Sequence, residues 1–289
     1  MLVTYRGAET NIFVGPLSFL DLEQIGDDRY RGCGETWPDV RSTIYGGQVA
    51  AQALLAAAYT VPEGRRPHSL HGYFLRGGAL TKDVVFHVDR DRDGRSFTAR
   101  RIVAEQDGEA IFEMSCSFHV DEGGAEFVQP MLAGVREPHE LRPLTDGVWH
   151  PLLDIRVPPP PGADKPKGMS LDRMWLKSSV PLPDDPVVHA CVLTFFSDVT
   201  AGFGDMEVPG IPIFGPSIDH ALWFHGSPRA DRWALWNNTP LKVGGQRGLY
   251  LGTAHDEDGT LIAMMTQEML LRASAPLPND PDGLFARGS

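Results

Sequence analysis

The first half of the chain combines one long apolar segment with several segments of β-type pattern. Residues 45–59 are rich in alanine and leucine and apolar on nearly every side, which predicts a buried helix. Segments with β-type pattern follow at 68–75, 83–89, 96–104 and 110–120. Asp93-Gly94 and Asp107-Gly108 indicate tight turns between strands. One helix followed by an antiparallel meander is typical of an α+β module rather than a βαβ unit. Before this helix, residues 19–25 and 30–32 favour a strand pair.

The second half of the chain repeats this pattern. Residues 187–196 predict a second buried helix, with Asp185 and Pro186 in place to cap and start it. Predicted strands follow at 217–225, 233–236, 247–254 and 261–271. From His71 to the Asp107-Gly turn is 36 residues, and from His220 to the Asp258-Gly turn is 38. A repeat of this length indicates one module folded twice, with the two copies packed together.

The domain boundaries follow from the weakening of this periodicity. We predict a first module over residues 1–124 and a second over 169–289. Residues 125–168 are proline-rich and aperiodic, which favours an extended linker between the modules. A chain of 289 residues accommodates two modules of about 120 residues each.

Composition excludes several classes of function. The net charge of -12 argues against a general nucleic-acid binder. The longest apolar run, 49–59, is too short to span a bilayer, and the first residues lack the pattern of a secretory signal. Three widely spaced cysteines, Cys33, Cys116 and Cys191, suggest neither a disulfide framework nor a zinc site. We therefore expect a cytoplasmic protein with no metal, no other cofactor and no membrane partner.

The two copies differ most at their polar positions. The second copy carries Asp198, Ser217 and Gln267, where the first has no carboxylate in register. Asp198 ends a helix, where the macrodipole disfavours negative charge, and has apolar neighbours, so it would accept a proton more readily. Gln267 follows an apolar run, where an amide is costly unless it is paired. The opposing interpretation of Asp198 is a solvated residue that closes a helix.

Other polar positions leave alternatives open. Asp219 shares a strand face with Ser217 and is a rival base, or only a partner to a backbone amide. Gly46 and Gly47 open the first helix, where backbone amides can donate to an oxyanion or a phosphate. Equally, these glycines only permit a tight turn. His68 occupies the register of Ser217, although a strand histidine is more often a satisfied core group.

Several longer motifs carry a resemblance to a known family. They are Tyr45-Gly-Gly-Gln-Val-Ala-Ala-Gln-Ala-Leu54, Pro67-His-Ser-Leu-His-Gly-Tyr-Phe-Leu-Arg76, Arg92-Asp-Gly-Arg-Ser-Phe-Thr-Ala-Arg-Arg101, Phe196-Ser-Asp198, Ser217-Ile-Asp-His-Ala-Leu-Trp-Phe-His225 and Thr266-Gln-Glu268. With these motifs the chain resembles the acyl-CoA thioesterase II (TesB-like) family of double hotdog proteins. It departs from the family pattern at Gly226-Ser-Pro228, where Arg-Pro-Phe is common.

The resemblance implies a fold, an activity and a site. The fold is α+β, a double hotdog in which each repeat wraps an antiparallel sheet around a central helix. The activity is hydrolysis of fatty acyl-CoA, and the active-site Asp, Thr-or-Ser and Gln fall on Asp198, Ser217 and Gln267. A homodimer or higher homo-oligomer is implied as well.

Candidate substrate-binding residues lie outside this trio. Arg100 and Arg101 belong to a basic cluster suited to the phosphates of coenzyme A, although such a cluster is usually a solvated strand face. Trp223 is expected to line an apolar tunnel together with Trp175, Phe195 and Phe224. Gly46, Gly47 and His68 complete the set of predicted substrate contacts.

The absence of other motifs narrows the chemistry. The sequence has no Gly-x-Ser-x-Gly elbow, no Cys-x-x-Cys and no His-Glu-x-x-His, so water activated by a carboxylate remains for thioester hydrolysis. A hotdog hydratase or dehydratase using His220 and Asp219 is the alternative enzyme, but it leaves Gln267 without a role. A non-catalytic acyl-CoA binding protein is the third hypothesis, suggested by the altered segment 226–228.

Overall fold

The fold is described from a computed structural model covering most of the chain. It describes residues 13, 15–34, 43–145, 150–160, 171–199, 202–204, 206 and 215–272. The first half contains helix α1 (Gly46–Ala58) and strands β1 (Leu22–Gly26), β2 (Arg29–Gly32), β3 (Arg65–Phe74), β4 (Val84–Asp93), β5 (Phe97–Gln106) and β6 (Glu109–Val120). The second half contains β7 (Leu153–Arg156), β8 (Arg173–Ser178), helix α2 (Pro186–Ser197), β9 (Asp219–Phe224), β10 (Ala234–Gly244), β11 (Arg247–Asp256) and β12 (Leu261–Leu270).

The twelve strands of the described residues form one antiparallel sheet whose order is nearly a mirror image. The order is β1-β2-β4-β5-β6-β3-β9-β12-β11-β10-β8-β7, so the two halves meet where β3 pairs with β9. In that pairing Leu70 lies opposite Leu222 and Gly72 opposite His220. Each half contributes one helix and one meander, which confirms the predicted α+β double hotdog and its internal repeat.

The two helices pack against each other in the core that the sheet encloses. Alternate strand residues join this core, and we call the sheet face that carries them the inner face. Tyr45, which precedes α1, donates its hydroxyl to the backbone oxygen of Phe195 in α2 at 2.7 Å, and the two rings meet edge to face. A side chain on Gly47 would lie 2.7 Å from that same oxygen. Glycine therefore permits the close approach of α1 to α2.

The start of α2 agrees with the sequence prediction. Asp185 is the N-cap, and its carboxylate accepts the backbone amides of Val187 at 2.7 Å and Val188 at 3.4 Å. Pro186 occupies the first turn, where its missing N–H costs no helical hydrogen bond.

Three local predictions need correction or adjustment. Residues 15–20 form a 3₁₀ helix, so the first strand begins at Leu22 rather than at residue 19. The predicted linker, 125–168, contains β7, which pairs with β8 at the edge of the sheet, and its residues 146–149 and 161–168 lie outside the described part of the chain. β10 continues past residue 236 to Gly244, with a register shift after Pro240.

We expect Gly47→Ala to destabilise the protein. The added methyl meets the Phe195 carbonyl and the Tyr45 ring at 2.7 Å, and overpacking of this kind costs about 1–3 kcal/mol. That cost exceeds the gain in helix propensity, at most about 1 kcal/mol, of alanine over glycine. Urea denaturation measures the difference. Gly123→Ala is the matched control, since nothing lies within 4 Å of its added methyl, and unchanged stability in Gly47→Ala would contradict the close helix contact.

Candidate active site

Asp198 lies at the C-terminal end of α2 and accepts three hydrogen bonds. Its Oδ1 accepts the amide Nε2 of Gln267 at 2.6 Å and the hydroxyl of Ser217 at 3.1 Å. Its Oδ2 accepts the backbone amide of Gly47 at 2.9 Å. The structure therefore brings together the three polar side chains that the sequence singled out in the second half.

Gln267 is the centre of this network. It lies on the inner face of β12 and is 1% exposed, so each of its polar atoms needs a protein partner. Its Nε2 lies 2.6 Å from the Ser217 hydroxyl as well as 2.6 Å from Asp198, while its Oε1 accepts the hydroxyl of Tyr250. The amide thus donates on the side of the carboxylate and accepts on the other side.

Sequence reasoning missed Tyr250. This residue lies on β11 directly opposite Gln267 on β12 and is fully buried. The sequence does contain a signal for this cross-strand pair, because Tyr250 and Gln267 are equally distant from the Asp258-Gly259 turn that joins their strands. Counting back from that turn would have placed a tyrosine hydroxyl beside the buried amide.

The first module also contributes to the site. Gly46 and Gly47 form the first turn of α1, and a side chain on Gly46 would lie 2.8 Å from Asp198 Oδ2 and 2.9 Å from the ring of Phe74. Phe74 ends β3, and its backbone amide donates to Ile218 at 2.9 Å, next to Ser217. The amide of Gly47, expected to serve an oxyanion or a phosphate, donates to Asp198. The site therefore lies where the two modules meet.

Two helix ends set the electrostatics of Asp198. The C-terminal end of α2 disfavours a negative charge there, as the sequence predicted, whereas the N-terminal end of α1 favours one. Because Gly47 donates directly to the carboxylate, the first module offsets the unfavourable end of the second. The sequence prediction for Asp198 included the unfavourable end of α2 but not the favourable end of α1.

The rival residues Asp219 and His220 each have a hydrogen-bond partner other than Asp198. Asp219 accepts the backbone amide of Glu268 at 2.6 Å, the structural role considered from sequence. His220 is 1% exposed, and its Nε2 lies 2.8 Å from the hydroxyl of Ser197, which donates to the backbone oxygen of Thr194. We therefore assign the imidazole proton to Nε2. Burial lowers the pKa of His220, which favours its neutral form.

His68 and Trp223, both predicted to contact substrate, lie away from Asp198. A register shift between Pro67 and Ser69 places His68 in a bulge, where its Nε2 lies 2.8 Å from the Ser117 hydroxyl and its ring meets exposed Phe97. Trp223 alternates with two core residues and stacks edge to face on exposed His71, so it lies on the outer face. Neither residue faces the Asp198 side of the sheet.

Trp175 was also predicted to line the tunnel. It is fully buried but does not belong to the common core, and its indole donates to the backbone oxygen of Arg136 at 2.9 Å. Phe195, on α2, and Phe224, on the inner face of β9, are core residues.

The arginines do not match their predicted role either. Arg100 is fully buried, and it makes five hydrogen bonds for its five N–H groups, to acceptors on Thr60, Arg92, Asp93 and Ala99. No donor is left for a phosphate of coenzyme A. Arg101 is exposed but on the outer face, where it pairs with Asp89 at 2.7 Å. The basic cluster is therefore not assembled at the site.

The described residues contain no group of three or more His, Cys, Asp or Glu arranged to hold a metal ion. None of the helices in the described part of the chain is long and apolar enough to cross a bilayer.

Comparison with known proteins identifies the family. Residues 34–119 match the acyl-CoA thioesterase N-terminal domain, and residues 129–271 match the acyl-CoA thioesterase C-terminal domain. Human acyl-coenzyme A thioesterase 8 is 34% identical over 281 residues, which cover 88% of this chain and 87% of the human one. The chain belongs to the acyl-CoA thioesterase family. This confirms the resemblance seen in the motifs.

Other members of the acyl-CoA thioesterase family match over a similar extent. Acyl-CoA thioesterase 2 of Haemophilus influenzae is 32% identical, covering 89% of this chain and 97% of its own. The crystal structure of acyl-CoA thioesterase II TesB2 from Mycobacterium marinum is 37% identical, with a TM-score of 0.73, covering 90% of this chain and 97% of that one. The double module is therefore shared with this family along nearly its full length.

We expect His220 to make stability depend on pH. The unfolded chain protonates this imidazole near pH 6.5, but the folded protein does so only at lower pH. Stability is therefore retained above about 6.5 and falls as pH decreases toward the lowered pKa, by at most about 1.4 kcal/mol per pH unit for one histidine. Urea denaturation between pH 5 and 7.5 should show a shallower dependence in His220→Gln than in the wild type.

His139→Gln is the matched control for this measurement. His139 is exposed on a 3₁₀ turn, so its replacement should preserve the pH dependence of the wild type. An equally steep dependence in His220→Gln would mean that the folded protein protonates the buried imidazole as readily as the unfolded chain does.

Proposed function

We propose that this protein hydrolyses acyl-CoA thioesters by means of a water molecule activated by Asp198. The observation that carries the proposal is the convergence of Gln267, Ser217 and Gly47 on one carboxylate. Three donors from three separate elements hold that carboxylate in one orientation. An oriented carboxylate at the junction of the modules is what a general base requires.

The hydrogen bonds indicate which carboxylate atom is available. A carboxylate offers about four acceptor positions, and three are used, two on Oδ1 and one on Oδ2. The remaining position is on Oδ2, which also lies near Gly46 and Phe74. We place the attacking water there.

The proposed reaction is balanced in atoms and protons. Asp198 takes a proton from the water as the water oxygen bonds to the thioester carbonyl carbon. The tetrahedral intermediate then collapses, the carbon–sulfur bond breaks, and the departing thiolate receives the proton from Asp198. The products are a carboxylic acid and the free thiol of coenzyme A. The positive end of α1 beside the site stabilises the developing oxyanion.

Ser217 serves as an orienting residue in this mechanism rather than as a nucleophile. Its hydroxyl donates to Asp198 Oδ1 and accepts from Gln267, so its single proton is committed to the network. This arrangement keeps Oδ1 occupied and leaves Oδ2 for water.

The hydratase alternative has less support. It requires His220 and a carboxylate to act together on a carbon–carbon double bond, but His220 binds Ser197 and Asp219 binds a backbone amide. In thioester hydrolysis, by contrast, Gln267 has a defined role.

We expect Asp198→Asn to lower kcat for acyl-CoA hydrolysis by at least about 100-fold, corresponding to about 2.7 kcal/mol of barrier, because an amide cannot accept the proton of water. Release of free thiol from a panel of acyl-CoA chain lengths measures turnover. Asp219→Asn is the matched control: it retains an oxygen for the Glu268 amide and should keep kcat within about threefold.

The outcomes separate the hypotheses. Turnover within about tenfold of wild type in Asp198→Asn would remove Asp198 as the base. Hydration of an enoyl-CoA without release of thiol would favour the hydratase, and binding of acyl-CoA without any turnover would favour the non-catalytic binding protein.

We further propose a homo-oligomer acting in a reducing compartment such as the cytoplasm. The free cysteines Cys33, Cys116 and Cys191 support such a compartment, since two of them are buried and none is in a disulfide. Light scattering should give a mass at least twice the 31.7 kDa of one chain. A mass of one chain at micromolar concentration would contradict the assembly.

A further inference from the structure

We propose that Tyr250 is a positioning residue that keeps the amide of Gln267 turned with its nitrogen toward Asp198 and Ser217. The proposal rests on the function proposed above, because it assigns Tyr250 a role in the same reaction. It concerns the hydroxyl of Tyr250, which donates to Gln267 Oε1 within the buried β11–β12 pair.

A glutamine amide can present either of two ends to its surroundings. In the observed orientation Nε2 lies 2.6 Å from Asp198 Oδ1 and 2.6 Å from the Ser217 hydroxyl. The reversed orientation would point Oε1 at the carboxylate, where two acceptors repel. In the resting enzyme, the charge of Asp198 and the hydroxyl of Tyr250 therefore select the same orientation.

During the reaction, the charge of Asp198 and the hydroxyl of Tyr250 no longer act together on the Gln267 amide. Once Asp198 has taken a proton from water on Oδ2, the carboxyl is neutral, and Oδ1 accepts from Gln267 Nε2 without the strength of a charge-assisted hydrogen bond. The carboxyl then selects the orientation of Gln267 less strongly. The Tyr250 hydroxyl still occupies Oε1, so the amide returns to the carboxylate with its nitrogen in place when the proton leaves.

The surroundings of Tyr250 keep its hydroxyl in position. The residue is fully buried, a side chain on Gly202 would lie within 3.0 Å of its ring, and Phe203 meets that ring edge to face with ring centroids 5.5 Å apart. Gly202 and Phe203 follow Asp198 by four and five residues in the chain. Burial raises the pKa of Tyr250 well above its ordinary value, which keeps the phenol protonated as a donor.

The first module provides an internal comparison. At the corresponding position of its β5–β6 pair, Arg100 lies opposite Cys116, and Arg100 binds Thr60 rather than an amide on the neighbouring strand. The tyrosine–glutamine pair is thus present in the module that has the carboxylate. This distribution supports a role in the reaction over a general role in packing two strands.

The test is a double-mutant cycle on kcat and KM for acyl-CoA hydrolysis, with Tyr250→Phe, Gln267→Met and the double variant. If Tyr250 acts through Gln267, Tyr250→Phe lowers kcat by about 10- to 100-fold and leaves KM within about twofold. In the Gln267→Met background the same substitution has no further effect on kcat. Thermal melting confirms that each variant is folded. Tyr30→Phe is the matched control with unchanged kcat, because Tyr30 is a buried tyrosine on β2, next to the edge strand of the first module, and its ring packs on Tyr59.

The proposal would be overturned if Tyr250→Phe lowered kcat by the same factor in the wild-type and Gln267→Met backgrounds, or if the single variant kept the wild-type kcat. If Tyr250→Phe alone does not fold, comparison of the double variant with Gln267→Met decides, since a further fall in kcat there shows a role independent of the amide. Asp198→Asn separates the two hypotheses: if it remains active, the proposed mechanism fails, whereas an inactive Asp198→Asn with an additive cycle removes only the role of Tyr250.

Discussion

The close contact between the start of α1 and the end of α2 is the constraint on which the site depends. Gly46 and Gly47 bring a backbone amide to 2.9 Å from Asp198 Oδ2, and any side chain on either glycine would collide with the other module. The amide offsets the unfavourable end of α2, so the carboxylate keeps its place at that helix end. The candidate base of the second half is thus held in part by the backbone of the first.

The C-terminal ends of α1 and α2 are occupied by side chains of opposite charge. At the end of α1, the buried Arg100 binds both the hydroxyl and the backbone oxygen of Thr60, and a cation is favoured at a helix C-terminus. At the end of α2, an anion takes that place and needs donors from three elements. The end of α1 is thus stabilised by a residue of its own module, whereas the anion at the end of α2 needs donors that include one from the other module. A locally unfavourable charge of this kind is expected at a functional site.

The sequence predicted the architecture and the polar trio because both depend on local pattern and on comparison of the copies. Several of the misses have one cause, the face on which a strand residue lies. Aligning His71 with His220 suggested equivalent histidines, but His71 is exposed on the outer face and His220 is buried on the inner one. A shift of one residue reverses the face, and the bulge after Pro67 reversed it for His68. The closed pocket around Arg100 depends on long-range contacts that no local pattern reveals.

The pairing of β3 with β9 makes each module dependent on the other. Backbone hydrogen bonds between these strands join the two modules into one sheet, so a module on its own would expose an edge strand with unpaired N–H and C=O groups, which favours aggregation. The second module on its own would also lose the Gly47 amide that binds Asp198.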